Sequence, residues 1–276
     1  MTTNRLNETK IEYAQDCRLF GMLGWGQLSQ LNIPSAYQDK IMTILLADKI
    51  WSPSSKLINP NTGLPFIPEE NVIVVPSDNN DKPVWTDKRS LDIFMEKVWT
   101  WNPITLEWEN VPFELVKYLE DNWFTVYPNS NVLRTIQDRF TEKQKIESLG
   151  LKTVNHADVS SLSQIVKFMW DNWNGAILKS RKNWYDWHGQ YFIKTRQDAD
   201  KAWDQMKHFC DGSNWGLIIE QMVDLDCEVS IAVSKDRNYQ IKNLEPIYNL
   251  HEWWLLRTSI YPAPIDPSLE DKIIMM

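Results

Sequence analysis

The residues best suited to chemistry form a basic run at the end of an apolar segment. Residues 175–179 have the pattern of a buried strand, and Lys179, Arg181 and Lys182 lie at its end. Cations next to a low-dielectric sheet attract anions strongly, because water screens them less than it does in bulk. The run therefore predicts an anion site; a solvated strand end is the alternative.

The segment after this run has the position of a phosphate-covering loop but lacks the glycines that such a loop needs. Residues 183–190 read N-W-Y-D-W-H-G-Q, with Trp184 and Trp187 ahead of Gly189. A loop that closes over phosphates favours residues without Cβ, because backbone N–H groups must approach the anion closely and often at positive φ. Tryptophan is the least suitable residue at such positions.

The first half of the chain has the pattern of a Rossmann-like α/β unit. An apolar strand ending near Leu23 enters a glycine-rich turn, a helix is expected from Ser35 onward, and residues 42–48 form a second buried strand. Further strands are predicted at 71–75 and near 104, and residues 126–128 close this half of the chain. Pro112 is expected to start a helix that runs to about Glu120.

The pattern changes from Thr135 onward, and the domain boundary is predicted near residue 130. Residues 137–149 form a charged amphipathic helix that ends at Gly150. Helices are expected near 160–172 and 197–210, between strands at 175–179, 190–194, 217–220 and 228–233. The predicted organisation is a Rossmann-like domain at 1–130 and an α+β domain at 131–276.

Composition excludes several classes of function. A formal net charge of −8 over 276 residues argues against a general nucleic-acid binder. Cys17, Cys210 and Cys227 form no C-x-x-C pair, so they indicate neither a disulfide framework nor a structural zinc site. The sequence has neither a signal-peptide pattern nor an apolar run near the roughly 18 residues of a membrane span. We therefore predict a cytoplasmic protein.

Six ordered segments resemble the 5-(carboxyamino)imidazole ribonucleotide synthases, which are ATP-grasp enzymes of purine biosynthesis. The basic strand and loop, ILKSRKNWYDWHGQ, is similar to the family's K-x-R-x-G-G-Y-D-G-x-G-Q. The other five segments are GMLGWGQLSQ, TLEWENVP, QDRFTEK, IIEQMV with the following CEVSIAV, and HEWWLLRTSIYPAP. The resemblance covers nearly the whole chain and implies a Rossmann-like pre-ATP-grasp domain followed by an incomplete ATP-grasp domain.

The resemblance implies an activity and its small-molecule partners. The family makes carboxyphosphate from ATP and bicarbonate, and then carboxylates the exocyclic amine of aminoimidazole ribonucleotide. ATP and Mg²⁺ are the implied cofactors and a homodimer the implied assembly, without nucleic acid or a membrane as partner. The family continues beyond the position that matches Met276, and its Mg²⁺ ligands lie in that later part, so we assign no metal ligand here.

The resemblance also implies roles for individual residues. Lys179, Tyr185 and Asp186 are the catalytic candidates. The implied ATP contacts are Arg139, Lys179, Trp184, Tyr185, Asp186, Trp187, His188, Gly189, Gln190, Glu220, Gln221, Met222, Val223, Glu228 and His251. Glu220 to Val223 match the family's adenine hinge, and Glu228 matches the acid that holds the ribose hydroxyls. The implied contacts of the ribonucleotide substrate are Gln27, Glu109 and Arg257.

Three residues near these motifs receive simpler predictions. Lys143 follows Arg139 by one helical turn and is a second candidate for the ATP phosphates. His156 and His208 match no motif and are expected at the surface.

The family motifs bear on an unusual composition. The chain has 15 Trp and only 9 Gly, whereas average usage predicts roughly 19 Gly. The tryptophans on or beside family glycines are Trp25, Trp123, Trp184, Trp187 and Trp254, with Trp51, Trp173, Trp215 and Trp253 as further candidates. Our hypothesis is that the gene has UGA codons at these positions, which its own genetic code reads as glycine. A translation under a code that reads UGA as tryptophan then gives the printed sequence. A tryptophan-rich divergent enzyme or pseudoenzyme is the alternative.

Two other functions remain compatible with the residues. A different ATP-grasp enzyme, such as formate-dependent glycinamide ribonucleotide transformylase, is one, although TLEWENVP and NWYDWHGQ favour the carboxylating family. A non-catalytic nucleotide-binding relative is the other. The codons at 184 and 187 and the downstream reading frame would distinguish that relative from an enzyme.

Overall fold

A computed structural model describes residues 18–24, 29–47, 57–107, 110–172, 174–182, 189–211, 216–235, 238–252 and 255–276. The chain divides into two compact units, residues 1–142 and 143–276, and each unit has a hydrophobic core of its own. The domain boundary near residue 130 stays a prediction. In the part of the chain that is described, no helix has the length and apolar character that crossing a membrane requires.

The first unit is built on a five-stranded parallel sheet. Its strands are β1 (Arg18–Leu23), β2 (Ile41–Ala47), β3 (Val72–Val74), β4 (Pro103–Leu106) and β5 (Thr125–Tyr127). Hydrogen bonding gives the order β3-β2-β1-β4-β5, and every neighbouring pair is parallel. Strands on either side of β1 are added in opposite directions, as in a doubly wound sheet. This arrangement confirms the predicted Rossmann-like fold class.

Four α-helices of the described residues lie wholly within this unit. They are α1 (Ser29–Gln38), α2 (Lys88–Val98), α3 (Phe113–Asp121) and α4 (Ser130–Ile136). The predicted start of α1 at Ser35 was wrong, because Pro34 lies inside the helix rather than before it. Helix α2 comes close to β1 at Gly21, where a Cβ would lie 2.8 Å from Phe94 Cζ.

The second unit contains a four-stranded antiparallel sheet. Its strands are β6 (His156–Val159), β7 (Ala176–Ser180), β8 (Gln190–Ile193) and β9 (Leu217–Gln221), in the order β6-β9-β7-β8. Helix α5 (Arg139–Ser148) precedes the sheet in the chain, and α6 (Leu162–Asp171) and α7 (Arg196–Met206) lie between its strands in sequence. Helix α7 ends at Met206, where a 3-10 turn follows, so the helix predicted to reach 210 is shorter.

The remaining elements form two smaller sheets and one helix. They are β10 (Glu228–Ser230), β11 (Val233–Lys235), β12 (Ile241–Asn243), β13 (Ile247–Glu252), β14 (Leu255–Ile260) and α8 (Pro267–Met275). The single strand predicted at 228–233 was wrong, because β10 pairs with β13 whereas β11 pairs with β12. An apolar run does not reveal such a change of partner strand.

Asp198 fixes the start of α7 in a capping box. Its carboxylate accepts hydrogen bonds from the Thr195 hydroxyl at 2.8 Å and the Thr195 N–H at 2.9 Å. These bonds, the hydroxyl's above all, hold the pKa of Asp198 below its ordinary value.

The lowered pKa of Asp198 gives a pH-dependent stability. A carboxyl whose pKa is depressed by folding stabilises the protein above its unfolded pKa, and this contribution is lost as pH falls through the folded pKa. We expect the wild-type chain to have a larger free energy of unfolding than Asp198→Asn at neutral pH. This difference should shrink as the pH falls through the folded-state pKa of Asp198. Urea unfolding of both chains at neutral and acidic pH measures this difference. A difference that does not change with pH would contradict the stabilising role of the ionised Asp198 carboxylate.

Trp99 and Trp123 follow helix ends in the left-handed backbone region. Trp99, at φ 61°, caps α2, and Trp123, at φ 69°, comes directly after Asn122, the C-cap of α3. Their side chains are exposed, so neither ring contributes a buried surface. Glycine is the preferred residue at such a position, because a Cβ makes this conformation unfavourable. The backbone supports the glycine hypothesis at Trp123 and adds Trp99, which the motifs missed.

Replacing Trp123 with Gly should stabilise the chain. Relief of the left-handed strain outweighs the extra entropy of glycine in the unfolded state, so we expect the free energy of unfolding to rise by about 1 kcal/mol. Urea unfolding measures the change. Trp101→Gly is the matched control, because Trp101 is also exposed but has no positive φ; this variant should gain nothing. A less stable Trp123→Gly chain would contradict the prediction.

Candidate functional site

Side chains alternate between the two faces of the antiparallel sheet in the second unit. Along β7, Ala176 and Leu178 are fully buried, whereas Ile177 and Lys179 are only partly buried. The buried face packs against apolar side chains of α6 and α7. Because successive side chains of a strand point to opposite faces, Ile177 and Lys179 lie on the second face of the sheet.

Two lysines share one carboxylate on this second face. Lys179 Nζ donates a hydrogen bond to Glu220 Oε2 at 2.7 Å, and Lys143 Nζ lies 3.6 Å from Glu220 Oε1. The three side chains are between 9% and 20% exposed, so water screens their charges less than at an open surface. Two ammonium groups against one carboxylate leave a net positive charge, which attracts an anion. We call these three residues the lysine cluster.

The strand register explains why these groups meet. Glu220 in β9 lies opposite Ile177 in β7 and opposite His156 in β6. Directly opposed side chains share a face of the sheet, and Lys179 shares it because it follows Ile177 by two residues. Lys143 reaches the same carboxylate from α5.

His156 is not the surface residue that the sequence predicted. Its side chain is 7% exposed, and its Nδ1 lies 3.1 Å from Val154 O and 3.7 Å from Glu147 Oε1. The Thr153 hydroxyl donates to the same Glu147 oxygen at 2.9 Å. These contacts fasten the end of α5 to the start of β6, which is why an isolated histidine without a motif is buried here.

Carboxylates divide the basic run at the end of β7. Lys179 pairs with Glu220, whereas Arg181 Nη1 lies 3.2 Å from Asp158 Oδ1. The Arg181 N–H also donates to Gly216 O at 3.1 Å. The arrangement favours an anion site centred on Lys179, rather than one spread evenly along the run.

Gly189 and Gln190 return the predicted covering loop to the sheet. The Ser180 N–H donates to Gly189 O at 2.9 Å, and Gln190 lies opposite Lys179 in the register of β7 and β8. The chain therefore leaves and rejoins the sheet beside the lysine cluster. The predicted site residues outside the described part of the chain are Trp184, Tyr185, Asp186, Trp187, His188, Gln27 and Glu109; their roles stay predictions.

The segment after Glu220 already uses two of its backbone N–H groups. The Gln221 N–H donates to Asn155 O at 2.8 Å, and the Met222 N–H donates to Gly175 O at 3.0 Å. Val223 follows and is about half exposed. An adenine hinge in this segment would therefore depend on the N–H of Val223 and on the carbonyl oxygens around it.

A second polar group lies on the sheet formed by β10, β13 and β14. Glu228 lies opposite Asn249, and Asn249 lies opposite Ser259. His251 Nδ1 is 3.7 Å from Glu228 Oε2, and both side chains are partly exposed. The structure thus brings together two predicted ATP contacts, Glu228 and His251. Asn249 was missed, although its polar alternation with His251 along one strand was a usable signal.

The two predicted site arginines, Arg139 and Arg257, lie in different elements of the structure. Asp138 Oδ1 accepts hydrogen bonds from the Phe140 and Thr141 N–H groups at 3.1 and 3.2 Å. This cap fixes the start of α5 and so presents Arg139 in its first turn. Arg257 lies in β14, half exposed, with its Nε 3.8 Å from Glu252 Oε2.

Comparison with known proteins places these features in a family. Residues 144–276 match the ATP-grasp domain. The chain is 30% identical to the bifunctional purine synthesis protein purC/E of Dictyostelium discoideum, over 67% of this chain and 18% of that protein. It is 29% identical to the N5-carboxyaminoimidazole ribonucleotide synthase of Pseudomonas aeruginosa, over 62% of this chain and 46% of that one.

Solved structures agree with the sequence relatives. The N5-carboxyaminoimidazole ribonucleotide synthetase of Thermus thermophilus is 25% identical, with a TM-score of 0.74 over 93% of this chain and 61% of that chain. This chain thus spans less than two thirds of the length of each of these relatives. Its residues 144–276 form an ATP-grasp domain, and the chain is similar to the N5-carboxyaminoimidazole ribonucleotide synthases.

Proposed function

We propose that this chain is part of an enzyme that carboxylates 5-aminoimidazole ribonucleotide with bicarbonate in an ATP-dependent reaction. The observation that carries the proposal is the lysine cluster on the second face of the sheet in the ATP-grasp domain, in a chain that is similar to N5-carboxyaminoimidazole ribonucleotide synthases. A solved relative from Aspergillus clavatus holds ADP together with 5-aminoimidazole ribonucleotide.

The proposed reaction has two steps. A bicarbonate oxygen attacks the γ-phosphorus of ATP, ADP leaves, and carboxyphosphate forms. The exocyclic amine of the ribonucleotide then attacks the carboxyl carbon, and phosphate leaves. The protein acts mainly by positioning the reactants and neutralising phosphoryl charge.

The lysine cluster fits the phosphates in this proposal. Lys179 would exchange part of its contact with Glu220 for phosphate oxygens, and Lys143 would keep Glu220 neutralised from the other side. Ammonium groups act on phosphates as compact positive charges. The covering loop, with Tyr185 and Asp186, would close over the same phosphates, and Arg139 would add a further cation.

The nucleoside would lie along the same face. Ile177 and Phe192 are opposed in the register of β7 and β8, and both are partly buried, so they offer an apolar surface beside Glu220. We place the adenine there, within reach of the Val223 N–H, and the ribose hydroxyls on Glu228.

The described residues contain no cluster of three metal-binding side chains. Among them, no three His, Cys, Asp or Glu residues are close enough to hold a metal ion. A Mg²⁺ ion that bridges nucleotide phosphates needs only one or two protein carboxylates, so no ligand is assigned to it here. Mg²⁺ remains part of the proposal as a companion of ATP, and no step of the mechanism is assigned to residues that would hold it.

The test is the substrate dependence of ADP formation by the full-length protein, with glycine at the nine suspect tryptophan positions. We expect ADP formation to require both 5-aminoimidazole ribonucleotide and bicarbonate. Glycinamide ribonucleotide with formate is the second arm, because it is the substrate pair of the alternative ATP-grasp ligase. No stimulation by 5-aminoimidazole ribonucleotide would reject the proposed function.

We also propose the cellular setting that the family resemblance implies, a homodimer in the cytoplasm. Light scattering of the full-length protein tests the assembly, and a monomeric mass would reject it.

A further inference from the structure

Asn249 connects three strands of the sheet that carries Glu228. Its Nδ2 donates to Ser230 Oγ at 3.0 Å and to Glu228 Oε1 at 3.4 Å, while its Oδ1 accepts from the Ser259 hydroxyl at 3.0 Å. The side-chain amide therefore has partners on both sides, on β10 and on β14. The two serine hydroxyls could bond either end of the amide, but the Glu228 carboxylate only accepts, so it fixes the amide with Nδ2 toward β10.

The contact with Asn249 restrains a side chain that would otherwise be free to move. Glu228 lies on a short strand, and its side chain is 50% exposed. Asn249 Nδ2 donates to Oε1 at 3.4 Å, and His251 Nδ1 lies 3.7 Å from Oε2, so the carboxylate is hydrogen-bonded at Oε1 and only approached at Oε2. A glutamate that is already ordered loses less rotamer freedom when a ligand binds to it.

We propose that Asn249 is a positioning residue, which holds the Glu228 carboxylate ready for the vicinal hydroxyls of a nucleotide ribose. The proposal rests on the proposed function, because it takes Glu228 as the ribose contact. Each carboxylate oxygen keeps a lone pair beyond its contact with Asn249 or His251. Each oxygen can therefore accept a hydrogen bond from one of two adjacent hydroxyls. Asn249 acts through Glu228 and does not itself touch the nucleotide.

The ligand pair that tests this role is ADP and 2′,3′-dideoxy-ADP, which lacks both hydroxyls. Calorimetric titration of the 276-residue chain should give a preference for ADP of about tenfold, as expected for hydrogen bonds to a carboxylate. Asn249→Ala should weaken ADP binding by about fivefold and leave dideoxy-ADP binding nearly unchanged, so the preference falls to about twofold. The ratio of the two constants does not depend on the fraction of folded protein.

Two further variants sharpen the result. Asn249→Asp keeps the size and the acceptor for Ser259, but it cannot donate to Glu228 and adds a like charge, so it should lose at least as much preference as the alanine variant. Asn243→Ala is the matched control, because Asn243 bonds Leu244 O in the separate sheet of β11 and β12, and it should bind as wild type does.

The outcomes distinguish a failure of the positioning role of Asn249 from a failure of the proposed function. If Asn249→Ala weakens both nucleotides equally, or if Asn249→Asp keeps the wild-type preference, the positioning role is overturned while nucleotide binding stands. If the wild-type chain binds ADP with no preference over dideoxy-ADP, the role is also overturned. A wild-type chain that binds neither nucleotide overturns the proposed function and this role with it.

Discussion

Replacing Lys179 with Met should remove most of the affinity for ADP, with a rise in the dissociation constant of about a hundredfold. Lys179 Nζ lies 2.7 Å from Glu220 Oε2, and it is the closer of the two ammonium groups on that carboxylate. Without it, Glu220 and Lys143 cancel each other's charge, and the attraction for a phosphate is lost. Methionine keeps the length and apolar part of the side chain. Isothermal titration of the 276-residue chain measures the change.

Two further lysine variants show whether the loss of ADP affinity in Lys179→Met is specific to the lysine cluster. Lys194→Met removes an exposed lysine just after β8 and should change affinity by less than about twofold, because a solvated charge is screened. Lys143→Met should cost about tenfold, since its Nζ lies farther from Glu220, at 3.6 Å. Unchanged ADP binding in a folded Lys179→Met chain would contradict the site.

The element that carries Lys179 could be predicted from the sequence alone. Residues 175–179 form an apolar run next to a basic cluster, and the structure places β7 at Ala176–Ser180. Local patterns of this kind hold because a strand must bury its apolar side chains whatever its neighbours are. The predicted fold class was confirmed for the same reason, since the order of strands and helices leaves few arrangements.

The partners of Lys179 could not be predicted in the same way. Glu220 meets Lys179 because β9 lies beside β7, and the same carboxylate lies opposite His156 because β6 lies beside β9. Strand pairing joins residues far apart in the sequence, and a propensity argument for each segment contains nothing about it. Lys143 was named as a phosphate candidate, but its contact with Glu220 required the placement of α5.

Asn249 and Trp99 were missed for different physical reasons. Asn249 has no charge and matches no quoted motif, and its role appears only when Glu228 and Ser259 lie on either side of it. Trp99 was missed because the family motifs do not reach it, whereas its positive φ marks a position that favours glycine. Backbone conformation therefore finds glycine positions that motif matching cannot.

Glycine at positions 184 and 187 should tighten the binding of ATP by at least about tenfold, because the covering loop would then reach the phosphates with its backbone N–H groups. The double variant Trp184→Gly/Trp187→Gly in the 276-residue chain is compared with wild type by titration with ATP and with ADP. The gain should be larger for ATP, since a covering loop contacts the terminal phosphate as well. Trp101→Gly is the control, because Trp101 is exposed and has no positive φ.

The codons at 184 and 187 test the cause separately from the chemistry. If UGA stands there, and also at Trp123 and Trp99, the left-handed helix ends and the covering loop have one explanation, which is that each residue is glycine in the living cell. UGG codons would reject that explanation, and the affinity gain would then describe a loop that has diverged from its family. UGA codons without any gain in ATP affinity would instead reject the loop's contact with the phosphates, since the substitution would have restored the natural residues to no effect. The codon hypothesis therefore stands only if the gene has UGA at these positions. The phosphate-covering role stands only if the two glycines tighten the binding of ATP.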